Sequence, residues 1–326
     1  MTKPFESFLA PQLEEYMAYR QSLGYSKNPS ISWLKIFDRY LKSRKVDQQI
    51  LLQPSFFLEL RANLKVEQQT VNMVLSATRI FFQYLIRKGY YAENPLRDVP
   101  PLQGRSFIPF VFSPEETDRL LTAACKRIRK GQKHFLRDMA LYLAIVLLAR
   151  CGMRISEPIR LLRHQYRSDD GTIYIEKTKF RKDRLVPVPK DVLPEIENYL
   201  AVRKALCPDD QNPYFLAGRK QRALTDNKIR STFHQAVKDI DINNPKWTIG
   251  TMVFGSPTPH SLRHSFAINT LKQVKERGKS PQHALPVLAA YMGHLKYRYT
   301  GAYLKVSDAK HRAGLIDFVK SQQEVT

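Results

Sequence analysis

Two histidines and an arginine stand within five residues in the stretch PHSLRHSF, at His260, Arg263 and His264. Pro259 ahead of them suits the first turn of a helix, where its missing N–H costs nothing. Three kinds of chemistry use such a set. His260 and His264, four residues apart, could be a zinc pair. Arg263 could grip an anion while the histidines exchange protons with it near neutral pH. The three could also be ordinary solvated surface residues.

Three further groups carry reactive side chains. In ARCGMRISEPIRL, Arg154 lies two residues past Gly152, with Glu157 three further on. Arg154 follows the apolar run MALYLAIVLLA, Met139 to Ala149, which is too short to span a bilayer and reads as a buried helix. Its guanidinium is therefore expected to be held by the core rather than to wave in solvent. The second group, KTKFRKDR, places Lys177, Lys179, Arg181, Lys182 and Arg184 between two alternating apolar segments, the pattern of a β-hairpin with a basic tip. The third, AAYMGHLKYRYTGAYLKV, holds Gly293 and His294 followed by Tyr297, Tyr299 and Tyr303. Taken singly, each has a plain structural explanation: a cap, a solvated turn, packing aromatics.

The elements that must position these groups fall into two parts. Residues 1–95 read as four or five helices. LEEYMAYRQSLGYS, SISWLKIFDRYLKS and TVNMVLSATRIFFQYLIRKGY each carry apolar residues on a helical period, and two of them close on a glycine, Gly24 and Gly89. Residues 94–112 contain four prolines and no helical period, and read as an extended interdomain linker. A strong helix start follows at SPEETDRLL, with Ser113 as N-cap, Pro114 at the first position and Glu116 closing a capping box. Residues 113–326 then read as a second domain, mostly helical, with one β region around the basic hairpin. The fold class expected is mainly α with a small β-hairpin or sheet.

Composition narrows the partner. The chain has 326 residues, 43% of them hydrophobic, enough for two cores. Its 53 Lys and Arg against 30 Asp and Glu give a net charge of +23. Residues 1–105 hold 15 basic and 9 acidic groups, net +6; the remainder holds 38 and 21, net +17. Both parts are basic without low-complexity tails, which points to a polyanion touched by both. Three cysteines without CxxC spacing argue for a reducing compartment and against structural zinc, and MTKPFESFLA lacks a signal-peptide pattern. A soluble, cytoplasmic protein is expected, with no membrane partner.

Taken in order, GMRISE, the lysine-bearing hairpin KTKFRKDR, HSLR, MGH and a tyrosine nine residues past that histidine resemble the tyrosine recombinase (phage integrase) family. The resemblance covers residues 113–306 closely. Over 1–95 it is architectural, matching the helical core-binding domain that precedes the catalytic one. It implies Arg154, Lys179, His260, Arg263, His294 and Tyr303 as catalytic residues, with Lys177 an alternative to Lys179 as general acid. It also implies an anion grip at PHSLRHSF rather than zinc, which lacks a third suitably spaced ligand, and no metal or other cofactor. Glu157 reads as structural support for the Arg154 segment, and His264 as a packing or cap residue. The sequence departs from the pattern in LKYRYTGA, with two extra tyrosines, and in long stretches before His260 and His294.

The resemblance implies a site-specific recombinase that cleaves and rejoins double-stranded DNA at an inverted-repeat core site, through a 3′-phosphotyrosyl intermediate. Integration, excision or transposition of a mobile element is the expected setting, with a tetramer assembled on two DNA sites. The competing readings are a DNA-binding protein of the same fold that no longer cuts, and a type IB topoisomerase-like strand transferase. The tail, residues 307–326, carries the apolar cluster Leu315, Ile316, Phe318 and Val319, expected to dock on a neighbouring protomer unless it folds back on its own domain. If both basic parts contact phosphates, DNA affinity falls steeply with salt, because every neutralised phosphate releases counterions. Titrations at low and physiological salt check this; an affinity that hardly changes contradicts it.

Overall fold

The computed structural model describes residues 5–25, 28–44, 51–104, 106–176, 183–218, 221–242, 244–250, 252–294, 300 and 303. It is mainly helical, with two small sheets, and divides into two compact units, residues 1–105 and 106–326. Lys177, Lys179, Tyr297, Tyr299 and the tail cluster around Phe318 lie outside the described residues. No described helix is long and apolar enough to cross a membrane.

The first unit packs α1 (Ala10–Ser22), α2 (Asn28–Ser43), α3 (Pro54–Asn63) and α4 (Gln68–Arg87) around an aromatic core. The helical period read in the sequence delivers Leu13, Tyr16 and Met17 of α1 and Val71, Val74, Leu75 and Phe82 of α4 to that core. Phe37, Phe57, Phe81 and Phe82 are fully buried, and Phe57 meets Phe82 edge-on at 5.3 Å, the geometry the ring quadrupoles favour.

The second unit begins with β1 (Ser106–Ile108), then α5 (Pro114–Lys126), α6 (Gln132–Arg150) and α7 (Ser156–Arg160). It continues through β2 (Tyr166–Arg167), β3 (Thr172–Ile175), β4 (Arg184–Pro187), α8 (Leu193–Leu206) and α9 (Asp226–Asp239). It ends with β5 (Trp247–Ile249), β6 (Met252–Phe254), α10 (Pro259–Glu276) and α11 (Pro281–Met292). The capping box is formed: Ser113 Oγ accepts from the Glu116 N–H at 3.1 Å, and Glu116 accepts from the Ser113 N–H at 2.8 Å. The apolar run is the centre of the unit, with Leu143, Ala144, Ile145, Leu147 and Leu148 of α6 all at most 1% exposed.

The basic hairpin stands as antiparallel β3 and β4, with Ile173 opposite Val186 and Ile175 opposite Arg184, and β2 adds a third strand. A second sheet, in the order β1-β6-β5, differs from the sequence reading of a single β region. WTIGTMVF, read only as a long stretch before His260, folds back at Gly250 into a hairpin, with Trp247 stacked on Phe254 at 4.6 Å. The stretch 94–112, read as an extended interdomain linker, packs against the units on either side along much of its length. Leu96 and Val99 pack in the helical core of the first unit. Ser106–Ile108 pair in parallel with β6, and Phe110, Val111 and Phe112 are buried in the second unit. Prolines stopped helix but not strand pairing, and apolar residues in an extended chain still seek burial.

Candidate active site

Helix α11 ends at Gly293, whose φ of 62° and ψ of 46° lie in the left-handed region that L side chains adopt only with strain. A helix end leaves carbonyls without intrahelical partners, at the negative end of the helix dipole. Here three successive carbonyls are each taken by a different guanidinium. Tyr291 O accepts from Arg184 Nε at 2.7 Å, Met292 O from Arg263 Nη2, and Gly293 O from Arg154 Nη2 at 3.0 Å. The arginines come from β4, from α10 and from the turn before α7, so one helix terminus gathers three distant segments.

Glu157 supplies the balancing anion. It is 8% exposed and accepts from the Arg154 backbone N–H at 2.8 Å and Arg154 Nη1 at 3.0 Å. It also accepts from Arg184 Nη1 at 3.0 Å and Nη2 at 2.9 Å, a forked pair. Burial works to raise its pKa, but the bonds and charge of Arg184 outweigh it and hold the carboxyl below its ordinary 4.5. Glu157 thus does more than support its own segment: it ties the Arg154 turn to the base of the hairpin.

Arg263 is 1% exposed, with Nη1 donating to Gly152 O at 2.5 Å. Gly152 has a φ of 57°, and a Cβ there would sit 2.5 Å from Phe266 Cδ1. Only glycine therefore lets this carbonyl come up to Arg263 beneath the Phe266 ring. Burial first, and Arg154 second, push the Arg263 pKa down to about 10, which leaves it charged at neutral pH. Each guanidinium has five N–H groups, so bonds to these carbonyls leave donors for an anion. Beside them opens a cleft lined by Arg154, Ser156, Glu157, Arg160, Glu176 and Tyr214.

The histidines come from two places. Thr258 caps α10, its N–H donating to Ser261 Oγ at 3.0 Å, and Pro259 opens the helix as its sequence implied. His260 and His264 then lie one turn apart, with ring centroids 4.6 Å from each other and planes at 84°. His260 keeps an exposed edge; crowding on its inner side, then Arg263 and Arg154, lowers its pKa. His294 follows Gly293 directly, and its Nδ1 lies 2.8 Å from the hydroxyl of the fully buried Thr300. Burial, then Arg263 and Arg154, push His294 down to about 4. Both histidines are therefore neutral at pH 7.

Tyr303 is 7% exposed and packs among Val111, Ala267, Ile268, Leu271, Leu285 and Met292. Its ring lies 6.1 Å from that of His294, and its hydroxyl lies 3.1 Å from His264 Nδ1. Burial raises its pKa, against the pull of Arg263 and Arg154. The structure thus brings Arg154, His260, Arg263, His294 and Tyr303 into one neighbourhood. Lys179 and Lys177 lie outside the described residues, though the strand that follows them is anchored here by Arg184. Sequence reasoning missed Arg184, which it counted with the hairpin's basic residues, and the contact of His264 with Tyr303, since it took His264 for packing or a cap. Periodicity could have flagged Arg184: it stands two residues before the inward-facing Val186, on the same face of β4. Among the described residues, no cluster of three or more His, Cys, Asp or Glu side chains is placed to hold a metal ion.

Comparison with known proteins gives the family. The model of the phage integrase family matches residues 111–310. Over 304 residues the chain is 30% identical to y4rE of Sinorhizobium fredii, itself an inferred integrase/recombinase, covering 92% of each chain. It is 27% identical over 311 residues to the tyrosine recombinase XerA of Pyrococcus horikoshii, covering 94% of this chain and 93% of that one. Its fold is similar to a λ integrase solved as a dimer bound to a core site, with a TM-score of 0.66, 16% identity, and coverage of 93% and 78% of the two chains. The chain belongs to the phage integrase family, the tyrosine recombinases and integrases of site-specific DNA recombination.

Glu157→Gln leaves Arg154 and Arg184 without their anion, and breaking a buried pair in this way costs roughly 3–5 kcal/mol. A carboxylate with a depressed folded pKa stabilises fully above its unfolded value and loses that contribution as pH falls through the folded one. Urea unfolding should therefore show a large gap between the two proteins at pH 7 that closes well below pH 4.5. A gap independent of pH contradicts the ion-pair account.

Proposed function

We propose that the chain is a site-specific tyrosine recombinase that cleaves and rejoins double-stranded DNA through a 3′-phosphotyrosyl intermediate, in the integration, excision or transposition of a mobile element. The observation that carries this reading is the pair Arg154 and Arg263. They are held side by side on the Gly293 and Met292 carbonyls, with the electrostatic pull of both reaching Tyr303. The integrase and recombinase names of the relatives support the DNA substrate, and the +23 charge supplies the affinity for it.

The chemistry follows from the placement. As a nucleophile approaches a phosphodiester, negative charge grows on its nonbridging oxygens. Arg154 and Arg263 are fixed cations aimed by carbonyl and carboxylate bonds, so they meet that charge without reorganising. Tyr303 Oη attacks phosphorus; its P–O bond forms as the bond to the 5′-oxygen breaks, leaving a free 5′-hydroxyl. Lys179, or Lys177, donates the proton to that leaving oxygen. His260 and His294, neutral at pH 7, donate hydrogen bonds to the phosphate. The phosphotyrosine bond keeps the energy of the broken linkage, so rejoining is attack by the 5′-hydroxyl with no ATP. Strand exchange takes place in a tetramer on two sites, the arrangement in which four protomers supply four tyrosines, with the tail 307–326 making the contacts between protomers.

The test uses a nicked suicide duplex bearing the core site that the chain selects from random-sequence DNA. Tyr303→Phe should bind it normally and form no covalent adduct, while Tyr297→Phe and Tyr299→Phe still cleave. Arg154→Ala and Arg263→Ala should each lose roughly 3 kcal/mol of transition-state stabilisation while retaining most of the binding. An adduct mapped by peptide sequencing to Tyr297 or Tyr299, or no adduct from the unaltered chain, overturns the reading.

A further inference from the structure

Tyr303 needs a partner to take its proton, and the roles above do not provide one. A buried phenol whose pKa is raised keeps its proton at pH 7, and it can donate to His264 Nδ1, 3.1 Å away, in the tautomer that carries the imidazole proton on Nε2. His294, the other histidine beside the tyrosine ring, has its Nδ1 engaged by Thr300, and the His260 ring packs edge-on against that of His264.

We propose that His264 is the general base of the cleavage step: its Nδ1 takes the Tyr303 proton as the phenol oxygen bonds to phosphorus, and on rejoining returns it to the departing phenolate. The inference rests on the assignment of Tyr303 as nucleophile. The proton count closes in both directions, with the 5′-oxygen gaining a proton from the hairpin lysine during cleavage and giving it back during rejoining.

The groups facing His264 explain why the base stays silent without DNA. His260 and Arg263 on its own helix, and His294 beyond α11, together with burial, disfavour an imidazolium; the pKa of His264 is pushed down to about 3. A phosphate seated between Arg154 and Arg263 adds negative charge to this cluster and weakens the field that opposes an imidazolium. Proton transfer is thereby coupled to correct seating of the scissile phosphate, and the tyrosine is not activated against water or a misplaced strand.

The experiment compares single-turnover cleavage of the same nicked duplex by the full chain, His264→Asn and His264→Ala. Asparagine keeps an acceptor near Nδ1 but cannot hold the proton. Both variants should bind DNA normally and cleave on the order of 10²–10⁴-fold more slowly. Their rates should climb with pH where the parent's is flat. Replacing Tyr303 with a fluorinated tyrosine of lower pKa should recover much of the loss in both. An Asn variant that cleaves like the parent, or a loss that fluorination does not relieve, overturns the base assignment while leaving Tyr303→Phe inert and the proposed reaction intact. A measurement on the unaltered chain does not depend on how the variants fold: ¹⁵N-histidine NMR should show His264 with an unprotonated Nδ1 at pH 7, and a protonated Nδ1 contradicts the proposal.

Discussion

Three guanidiniums brought to one point repel each other, and the candidate site exists because the end of α11 and one carboxylate overcome that repulsion. Two unit charges 4 Å apart interact by roughly 4 kcal/mol at an effective dielectric of 20. Such a cluster scatters unless each cation is separately bound. The carbonyls of Tyr291, Met292 and Gly293 bind one arginine each, and Glu157 binds two of the three again. The left-handed turn at Gly293 that stops the helix also ends its carbonyl row at the place where Arg154 arrives. Excess positive charge remains after this pairing, and in the proposed reaction that excess meets the phosphodiester.

The same arrangement divides labour among the arginines. Arg184 spends Nε on Tyr291 and both Nη groups on Glu157, and it is nearly buried, so it acts as an anchor for the hairpin. Arg154 and Arg263 bond to carbonyls with part of their donor set, and the proposed reaction uses the rest on the phosphate. The histidines complete the pattern: burial and neighbouring charges, Arg263 among them, hold the pKa values of His264 and His294 down.

Much of this was legible in the sequence where a motif is local. Arg154 with Glu157, and His260 with Arg263, lie within one turn of each other, so spacing alone announces a shared face. The capping box at Ser113 and the buried run of α6 were equally readable, since each depends on near neighbours. What escaped depends on distant pairing. β1 and β6 are joined across more than a hundred residues, so three-residue strands around Gly250 carried little periodic signal of their own. Arg184 belongs to the site through Tyr291, and His264 through Tyr303, contacts that no spacing rule within a segment expresses.

On the proposed mechanism, Arg154 and Arg263 form a preorganised pair of cations that offsets the charge of the scissile phosphate. A nicked duplex in which that phosphate is replaced by an uncharged methylphosphonate tests it directly, by the cleavage rate of the unaltered chain against Arg154→Ala and Arg263→Ala. The account predicts that each alanine variant loses far less on the uncharged linkage than on the natural one. Equal fold-losses on both linkages would mean that the arginines do something other than neutralise the phosphate, and would contradict it.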